Sequence, residues 1–201
     1  MAILAPGQNR KLILFNGPRH SGKDTAALRC VETFDAFHFK MSGPIKAALR
    51  AMFDLHEDEV NYLESIKTVN SSLLFDTSYV DAQISFSEDW AKSFFGTQVF
   101  GLLAARCIRN AFRRYPAQAV FVCSDSGFAH EALPLVDIFG PANILLVRVF
   151  RDGKTFEGDS RSYIHLNNVA SISVTNRTID SYRQEIDDVV ATFLSDEQCP
   201  V

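Results

Sequence analysis

The chain has 201 residues, of which 47% are hydrophobic and 22% charged, and its formal net charge is −4. This length fits one domain with a well-buried core, and the apolar content excludes intrinsic disorder. The mild acidity argues against indiscriminate nucleic-acid binding, although a local basic patch is compatible with it. The longest apolar runs, such as residues 12–15, are too short to cross a bilayer, so we expect no membrane partner.

The N-terminus and the cysteines predict a cytoplasmic protein. Residues 1–7 are apolar but lack the basic leader and the long apolar core of a secretory signal. The four cysteines show no C-x-x-C spacing, which argues against structural zinc: Cys30, Cys107, Cys123 and Cys199. Two of them, Cys30 and Cys123, lie in apolar runs, so we expect reduced thiols.

Apolar runs of strand length alternate with segments of helical periodicity along most of the chain. The predicted strands cover residues 11–16, 36–40, 119–124, 144–150 and 171–175. The predicted helices cover residues 23–34, 44–53, 57–66, 97–114 and 178–194. The remainder of 55–95 reads as polar turns. Continuous apolar strands are typical of a parallel sheet covered on both faces, so we predict a three-layer α/β fold with a five-stranded parallel sheet.

The long predicted helix 97–114 has an apolar stripe that we expect to pack on the sheet. Its members are Val99, Leu102, Leu103, Cys107 and Ile108.

Residues 17–25 (GPRHSGKDT) connect the first predicted strand to the first predicted helix. They contain the pattern G-x-x-x-x-G-K, whose glycines let backbone N–H groups converge on a polyphosphate beside a helix N-terminus. Lys23 would reach the β- and γ-phosphates. The alternative is a glycine-rich turn that binds nothing, but strand, spacing, lysine and helix together favour phosphate binding.

The residue after Lys23 departs from the usual pattern. Asp24 stands where Ser or Thr is typical, and Thr25 follows one position later. Asp24 could hold Mg²⁺ directly or through water, or Thr25 could supply the hydroxyl after a small shift. The expected ATP-binding residues of this loop are Gly17, Arg19, His20, Ser21, Gly22, Lys23, Asp24 and Thr25.

Residues 21–25 (SGKDT), followed by residues 42–46 (SGPIK), resemble the phage-type deoxynucleoside monophosphate kinases and, more distantly, animal-type phosphomevalonate kinases. Residues 124–125 (SD) and 174–176 (VTN) are further matches, whereas 55–95 matches weakly. The resemblance implies a nucleoside-monophosphate-kinase-like P-loop fold, with ATP and Mg²⁺ as cofactors. It implies phosphoryl transfer to a deoxynucleoside 5′-monophosphate, in the host cytoplasm if the protein is phage-encoded. It also implies that Asn176 lies on the adenine side of the site.

We expect the acceptor nucleotide to bind beside residues 42–46, since a segment following the second strand lies at the carboxyl edge of the sheet. The candidates there are Ser42, Gly43 and Lys46, and the alternative is an ordinary proline-started helix with a solvated lysine. Arg106 is a further candidate. It begins an arginine series with Arg109 and Arg113 on one helix face, although a solvated basic face is the commoner explanation.

Asp125 follows the third predicted strand. A carboxylate there can hold Mg²⁺ through water or accept a proton from an acceptor hydroxyl. The alternative is a cap for a helix beginning near residue 128. The family resembled usually has an arginine two residues after this aspartate, whereas this chain has Gly127.

Residues 151–161 follow the fourth predicted strand and combine two glycines with three cations, as a lid over phosphates would need. Arg151 and Arg161 are candidates for stabilising the transferring group, and a charged surface loop is the alternative. We therefore expect a single P-loop kinase domain with a helical acceptor region at about 41–95 and a lid-like loop at about 151–163.

Two other functions stay open. In one, the kinase phosphorylates the hydroxyl of a hydroxymethyl pyrimidine, such as 5-hydroxymethyluracil, in phage DNA, with Asp125 as the base and the arginine series on the DNA backbone. In the other, the protein is a non-catalytic nucleotide sensor. The oligomeric state is open, a homodimer included.

Some side chains have two interpretations. Trp90, Phe94 and Phe95 either stack on an acceptor base or pack together in a lobe, and packing is favoured. His38 is expected to be a half-buried, hydrogen-bonded histidine.

Overall fold

The computed structural model describes residues 10–195, which divide into two compact units. Residues 42–100 form one unit, and the residues up to 41 and from 101 onward form the other. We call the first the insert unit and the second the sheet unit. Residues 1–7 and Cys199, for which the sequence made predictions, lie outside the described residues.

The element bounds follow the predicted alternation closely in the sheet unit. The strands are β1 (Lys11–Asn16), β2 (Phe37–Phe39), β3 (Asn70–Ser71), β4 (Thr77–Ser78), β5 (Val120–Cys123), β6 (Ile144–Phe150) and β7 (Ala170–Thr175). The helices are α1 (Lys23–Phe34), α2 (Gly43–Met52), α3 (Glu57–Ser65), α4 (Tyr79–Ile84), α5 (Ser93–Phe95), α6 (Val99–Arg114), α7 (Ala129–Phe139) and α8 (Ile179–Leu194). Within the described residues, no helix is long and apolar enough to cross a membrane.

The main sheet has five strands in the order β2-β5-β1-β6-β7, and every neighbouring pair is parallel. Successive residues of β1 point to opposite faces, so Leu12 and Leu14 join one apolar cluster and Ile13 and Phe15 join another. Residues of α6 and α7 complete the first cluster, and residues of α1 and α8 complete the second. The predicted three-layer α/β fold is therefore confirmed.

The predicted apolar stripe of α6 is wrong for most of its members. The residues that face the core of the sheet unit are Ala104, Ala105, Ile108 and Ala111. Leu102 is 54% exposed, and Cys107 is exposed too. The reason is close packing: a Cβ atom on Gly101 would collide with the backbone of Glu131 in α7, and small residues of α6 take most of the buried positions around Ile108.

The insert unit corrects the prediction of polar turns. After α3 it contains the antiparallel pair β3–β4, then α4, a π-helical segment over Ser85–Lys92, and α5. The serines that suggested turns act as helix caps: Ser78 Oγ accepts a hydrogen bond from the backbone N–H of Asp81 at the start of α4. Tyr79, which follows the cap, is fully buried.

The aromatic residues of the insert unit pack against one another, as was favoured, but they do not fill a core. Trp90, Phe94 and Phe95 remain 47%, 73% and 61% exposed. Their rings contact one another, with 5.6 Å between the centroids of Trp90 and Phe95, instead of filling a core. A π-helical turn is wider than an α-helical one, so α-helical spacing does not predict which side chains of this segment face inward.

Candidate phosphate-transfer site

The loop over residues 17–22 joins the carboxyl end of β1 to the N-terminus of α1, as the motif predicts. Gly22 has φ +111°, a conformation that favours glycine, and a Cβ atom there would collide with the Asn176 side chain. Asn176 Nδ2 donates to the Ser21 carbonyl at 2.9 Å, and the Tyr182 hydroxyl donates to the Gly22 carbonyl at 3.1 Å. Side chains just after β7 and in α8 thus fix the backbone of the phosphate loop through hydrogen bonds. A role for Asn176 beside adenine stays a prediction.

Two features at the ends of the phosphate loop concern its backbone: the tight packing of Gly17 and the uncapped N-terminus of α1. A Cβ atom on Gly17 would lie 2.5 Å from the Val149 carbonyl oxygen. His20 has φ +60°, which orients the backbone of the following residues. No side chain caps the N-terminus of α1. Its first N–H groups can therefore donate to an anion.

Lys23, the first residue of α1, bends back over the loop. Its Nζ donates to the Pro18 carbonyl at 2.6 Å. Burial, reinforced by the positive charge of Arg161, lowers the pKa of Lys23 from 10.5 to about 8. A lysine whose charged form is disfavoured gains strongly from an incoming anion, which is the property expected of a phosphate-binding lysine.

Asp24 is fixed through a single oxygen. Its Oδ1 accepts from the Ser124 hydroxyl at 2.8 Å and from Lys40 Nζ at 2.7 Å. Burial opposes the charge, but hydrogen bonds from Lys40 and Ser124 outweigh it and lower the pKa of Asp24. The side chain is 66% exposed, and Oδ2 takes no hydrogen bond within the part of the chain that the structure describes. That second oxygen can bind a cation.

His38 completes this network from β2. Its Nε2 lies 2.9 Å from Ser124 Oγ, and because Ser124 donates its only proton to Asp24, the histidine is the donor. Burial lowers the pKa of His38, so the ring is neutral at physiological pH. The expectation of a hydrogen-bonded, half-buried histidine is confirmed.

Asp125 lies just beyond β5 and does not cap a helix. Its Oδ1 accepts from the backbone N–H of Met41 at 2.7 Å and from the Cys123 thiol at 3.3 Å. Helix α7 does begin near the predicted position, but its N-cap residue is Phe128. The capping alternative for Asp125 is therefore wrong, and its carboxylate stays at the carboxyl edge of the sheet.

The acidic residues at this edge suit magnesium. Asp24 is hydrogen-bonded to Ser124, the residue before Asp125, so the two aspartates lie at the same edge of the sheet, and both favour the charged form of Lys23. No group of three or more His, Cys, Asp or Glu side chains is arranged for a metal among residues 10–195. Mg²⁺ is usually held by one or two carboxylates together with substrate phosphates, and the two aspartates fit that arrangement. Thr25 is the next residue of α1 after Asp24, and its role as a magnesium ligand stays a prediction.

Asn16 organises the site, although the sequence analysis did not single it out. It is fully buried at the end of β1. Its Nδ2 donates to the Ser126 and Ser162 carbonyls at 2.8 and 3.1 Å, and its Oδ1 accepts from the Ile164 N–H at 3.0 Å. One amide thus joins the segment after β5 to the end of the lid-like loop. The sequence feature that could have identified Asn16 is its position as a polar residue at the end of an otherwise apolar strand.

The lid-like loop contacts the phosphate loop at two places. Arg151 donates to the His20 carbonyl at 3.1 Å, and Arg19 pairs with Asp159 at 3.5 Å. Asp159 also binds Arg161 through both carboxylate oxygens. Arg161 is the more deeply placed of the two predicted lid arginines, with its side chain 23% exposed. The loop therefore contacts the phosphate loop, and its role as a lid stays a prediction.

Arg161 lies over Gly127, the position where the family resembled has an arginine. A Cβ atom on Gly127 would be 2.5 Å from Arg161 Cδ and 3.0 Å from its Cγ. An arginine from the lid-like loop thus fills the space that a side chain at position 127 would need. Arg148 in β6 donates two hydrogen bonds from its guanidinium to the Ile164 carbonyl, and it pairs with no carboxylate among residues 10–195.

The remaining acceptor candidates have the following surroundings. In the insert unit, Lys46 pairs with Glu64, which also binds Lys67, and Ser42 is the N-cap residue of α2 without a side-chain capping bond. Gly43 is the first residue of α2, and a Cβ atom there would meet nothing within 4 Å. In the sheet unit, Arg106 is exposed on α6. Acceptor binding by these four residues stays a prediction.

The sheet and the site together define a three-layer α/β protein with a phosphate-binding loop after its first strand. No protein-family model matches the chain, and no curated protein matches it either.

Solved structures with some likeness include three kinases. A sugar kinase from a Janibacter species has a TM-score of 0.49 at 9% identity, with 94% of this chain and 96% of that chain covered. The APS kinase of Mycobacterium tuberculosis, solved with AMPPNP and APS, has a TM-score of 0.44 at 16% identity, with 92% and 99% covered. The thymidylate kinase of Candida albicans has a TM-score of 0.41 at 14% identity, with 92% of each chain covered.

Proposed function

We propose that this protein is an ATP-dependent kinase that transfers the γ-phosphoryl group to a deoxynucleoside 5′-monophosphate. The observation that carries the proposal is the set of contacts around one phosphate loop at the carboxyl edge of a parallel sheet. Lys23 and Asp24 begin the helix after the loop, Asp24 is hydrogen-bonded to Ser124 beside Asp125, and Arg161 binds Asp159, which pairs with Arg19 of the loop. Two cations and two carboxylates around uncapped backbone N–H groups are what a magnesium-bound polyphosphate requires.

The chemistry needs positioning and charge compensation. An acceptor phosphate oxygen forms a bond to the γ-phosphorus while the bond to the β–γ bridging oxygen breaks, and ADP leaves with that electron pair. The acceptor oxygen is already anionic, so no general base is needed. Lys23 and Arg161 would stabilise the negative charge spread over the transferring group.

Magnesium, when bound, would offset the negative charge of the phosphates during transfer. The residues that would hold it are Asp24, through its open Oδ2, and Asp125, directly or through water. Lys40 and Ser124 would keep Asp24 ionised and oriented while it does so.

Arg161 supports the choice of a phosphate acceptor. Its aliphatic stem fills the space beside Gly127, two residues after Asp125, and a guanidinium fork matches two phosphate oxygens. A hydroxyl acceptor would not need a second cation there. This reasoning favours a nucleoside monophosphate over a free sugar or another neutral alcohol.

The test offers γ-labelled ATP and Mg²⁺ with the four deoxynucleoside monophosphates, alongside duplex DNA containing hydroxymethylated pyrimidines. We expect label in nucleoside diphosphates, and the expected loss with Lys23→Ala is at least about a thousandfold. Lys154→Ala, which removes an exposed lid cation, is the matched control. ATP binding without turnover on any acceptor would instead indicate a nucleotide sensor.

A second candidate, phosphorylation of a hydroxymethyl pyrimidine in DNA, is favoured by the exposed face of α6. This helix has four arginines and no acidic residue in a chain of net charge −4. Arg106 and Arg109 are exposed and have no carboxylate partner among the described residues. Such a face can bind a nucleic-acid backbone. Label in DNA, reduced by Arg109→Glu and by added salt, would establish this second function instead.

A further inference from the structure

Asp159 connects two arginines that belong to different loops of the sheet unit. Its Oδ1 accepts from Arg161 Nε at 2.8 Å and from the Arg161 backbone N–H at 3.0 Å, and its Oδ2 binds the Arg161 guanidinium a second time. The same Oδ2 lies 3.5 Å from Nε of Arg19, a residue of the phosphate loop. One carboxylate thus makes a two-pronged contact with one guanidinium and an ion pair with the other.

This arrangement has the geometry of an arginine-bound phosphate. A guanidinium binds a carboxylate and a phosphate in the same way, through two parallel N–H···O bonds. Asp159 is only 10% exposed, whereas Arg19 is 48% exposed. The carboxylate therefore sits inward of the arginine that faces solvent, on the side where a phosphate held by both guanidinium groups would have to bind.

Asp159 also belongs to the same electrostatic environment as Lys23. Arg161 disfavours the charged form of Lys23, and Asp159 and the two other aspartates favour it, so all these groups act on one ammonium. Asp159 itself has a lowered pKa, chiefly because Arg161 hydrogen-bonds to its carboxylate. It is an anion at physiological pH that contacts the guanidinium groups of Arg161 and Arg19.

The backbone that carries Arg161 is held in place. A phosphate can therefore replace the Asp159 carboxylate through side-chain motion alone. Asn16 holds the backbone at Ser162 and Ile164, directly after Arg161. The Arg161 stem rests against Gly127. A phosphate could replace the carboxylate by a rotation of the Asp159 side chain, without a rearrangement of the chain that carries Arg161.

We propose that Asp159 is an internal competitor for phosphate, which occupies Arg19 and Arg161 and so weakens the affinity of the site for phosphate groups. The proposal rests on the phosphate-binding role of this loop in the proposed function. Its consequence is weak retention of phosphorylated product, because the carboxylate rebinds both arginines as the phosphate leaves. Asp159 acts through the arginines, so it is an affinity-determining residue and not a catalytic one.

The test measures the dissociation constant of inorganic pyrophosphate by calorimetry for the full chain, for Asp159→Asn and for Asp152→Asn. Asp152 lies in the same loop, is exposed and has no partner among the described residues, so its variant removes the same charge without the contact. We expect Asp159→Asn to bind pyrophosphate about tenfold more tightly than the unaltered protein, and Asp152→Asn to bind within about twofold of it.

The gain in pyrophosphate affinity caused by Asp159→Asn should depend on Arg19. Asp159→Asn in an Arg19→Gln background should gain clearly less, since one of the two competing contacts has gone. Asp159→Ser, compared with the unaltered protein for its melting temperature, serves as a second variant if Asp159→Asn is poorly folded. Equal or weaker pyrophosphate binding by the folded Asp159 variants would overturn the proposal and indicate that Asp159 positions Arg161 for binding.

The same experiment separates this proposal from the proposed function. Tighter pyrophosphate binding by Asp159→Asn supports the competitor role even if no acceptor is phosphorylated. Phosphoryl transfer with unchanged pyrophosphate affinity supports the kinase and overturns the competitor. No pyrophosphate binding by any of these proteins overturns both the competitor and the phosphate-loop assignment.

Discussion

Arg161 occupies the space that a side chain at Gly127 would need, with 2.5 Å between its Cδ atom and a Cβ atom at position 127. Gly127→Ala therefore has to displace Arg161. We expect a loss of about tenfold in kcat/KM for the acceptor, since the arginine loses its placement, with little change in the melting temperature. Steady-state kinetics with the acceptor varied would measure it.

The control for that prediction is a double-mutant cycle. In an Arg161→Ala background, Gly127→Ala should have almost no further effect, because the side chain it displaces is already gone. Additive losses would mean that Gly127 acts through something other than Arg161.

Asn16 hydrogen-bonds three backbone groups, two of them in buried bonds and the third, the Ser162 carbonyl, in a part-buried one. Asn16→Ala leaves them without partners, so we expect a loss of about 3 kcal/mol in the free energy of unfolding. Chemical denaturation would measure it. Asn110→Ala, which removes one long hydrogen bond from Arg113 on the exposed face of α6, should cost less than about 0.5 kcal/mol. A similar cost for both variants would contradict the organising role of Asn16.

Lys23 has a folded-state pKa of about 8, below its ordinary value of 10.5, so its charged form is disfavoured by folding. Below pH 8 both states are protonated and the buried charge costs stability. Between pH 8 and 10.5 the unfolded state binds more protons, and stability rises with pH. We therefore expect Lys23→Met to stabilise the protein by about 1 kcal/mol at pH 7, after allowance for solvent screening.

The advantage of Lys23→Met should shrink as the pH rises from 8 towards 10.5. Melting temperatures of the two proteins across this range would show the convergence. The exposed Lys154→Met should show no such pH dependence. If Lys23→Met were less stable than the unaltered protein at pH 7, the buried charge of Lys23 would not be destabilising.

Asp24 offers its Oδ2 while Oδ1 is held by Ser124 and Lys40. Asp24→Asn should raise the Mg²⁺ concentration for half-maximal activity by about tenfold, and should weaken Mn²⁺ binding in the presence of an ATP analogue to a similar extent. Paramagnetic resonance of Mn²⁺ gives the second value without turnover. A larger effect of Thr25→Val would assign the metal to the hydroxyl instead.

Asp125 distinguishes the two acceptor classes. A phosphate acceptor needs no base, whereas a hydroxyl acceptor has to lose a proton. Asp125→Asn should therefore reduce transfer to a nucleoside monophosphate by less than about tenfold and to a hydroxymethyl pyrimidine by about a thousandfold. Its two hydrogen bonds on Oδ1 can be retained by the amide oxygen, so the fold is preserved. Equal losses on both acceptors would remove Asp125 as a base.

The sequence was informative where the pattern is local. The strand β1, the loop over 17–22 and helix α1 were predicted with their observed bounds, because an apolar run, a glycine-rich turn and an amphipathic helix are each specified by neighbouring residues. The parallel five-stranded sheet also followed, since strands buried on both faces are continuously apolar.

The sequence was misleading where packing distance or helix type decides burial. The stripe of large residues on α6 was expected inside, but α6 packs closely against α7 and buries alanines around Ile108. The π-helical segment over Ser85–Lys92 has a different periodicity, and the aromatic residues around it contact one another while they stay exposed.

What the sequence alone determined is the phosphate loop and the sheet that carries it. What only the tertiary structure decided is which distant side chains meet there: Asn16 with Ile164, Lys40 with Asp24, and Arg161 with Gly127. These pairs lie far apart along the chain, and no local propensity encodes them. They arise because the carboxyl ends of parallel strands converge on one edge, where the loops that follow them are packed together.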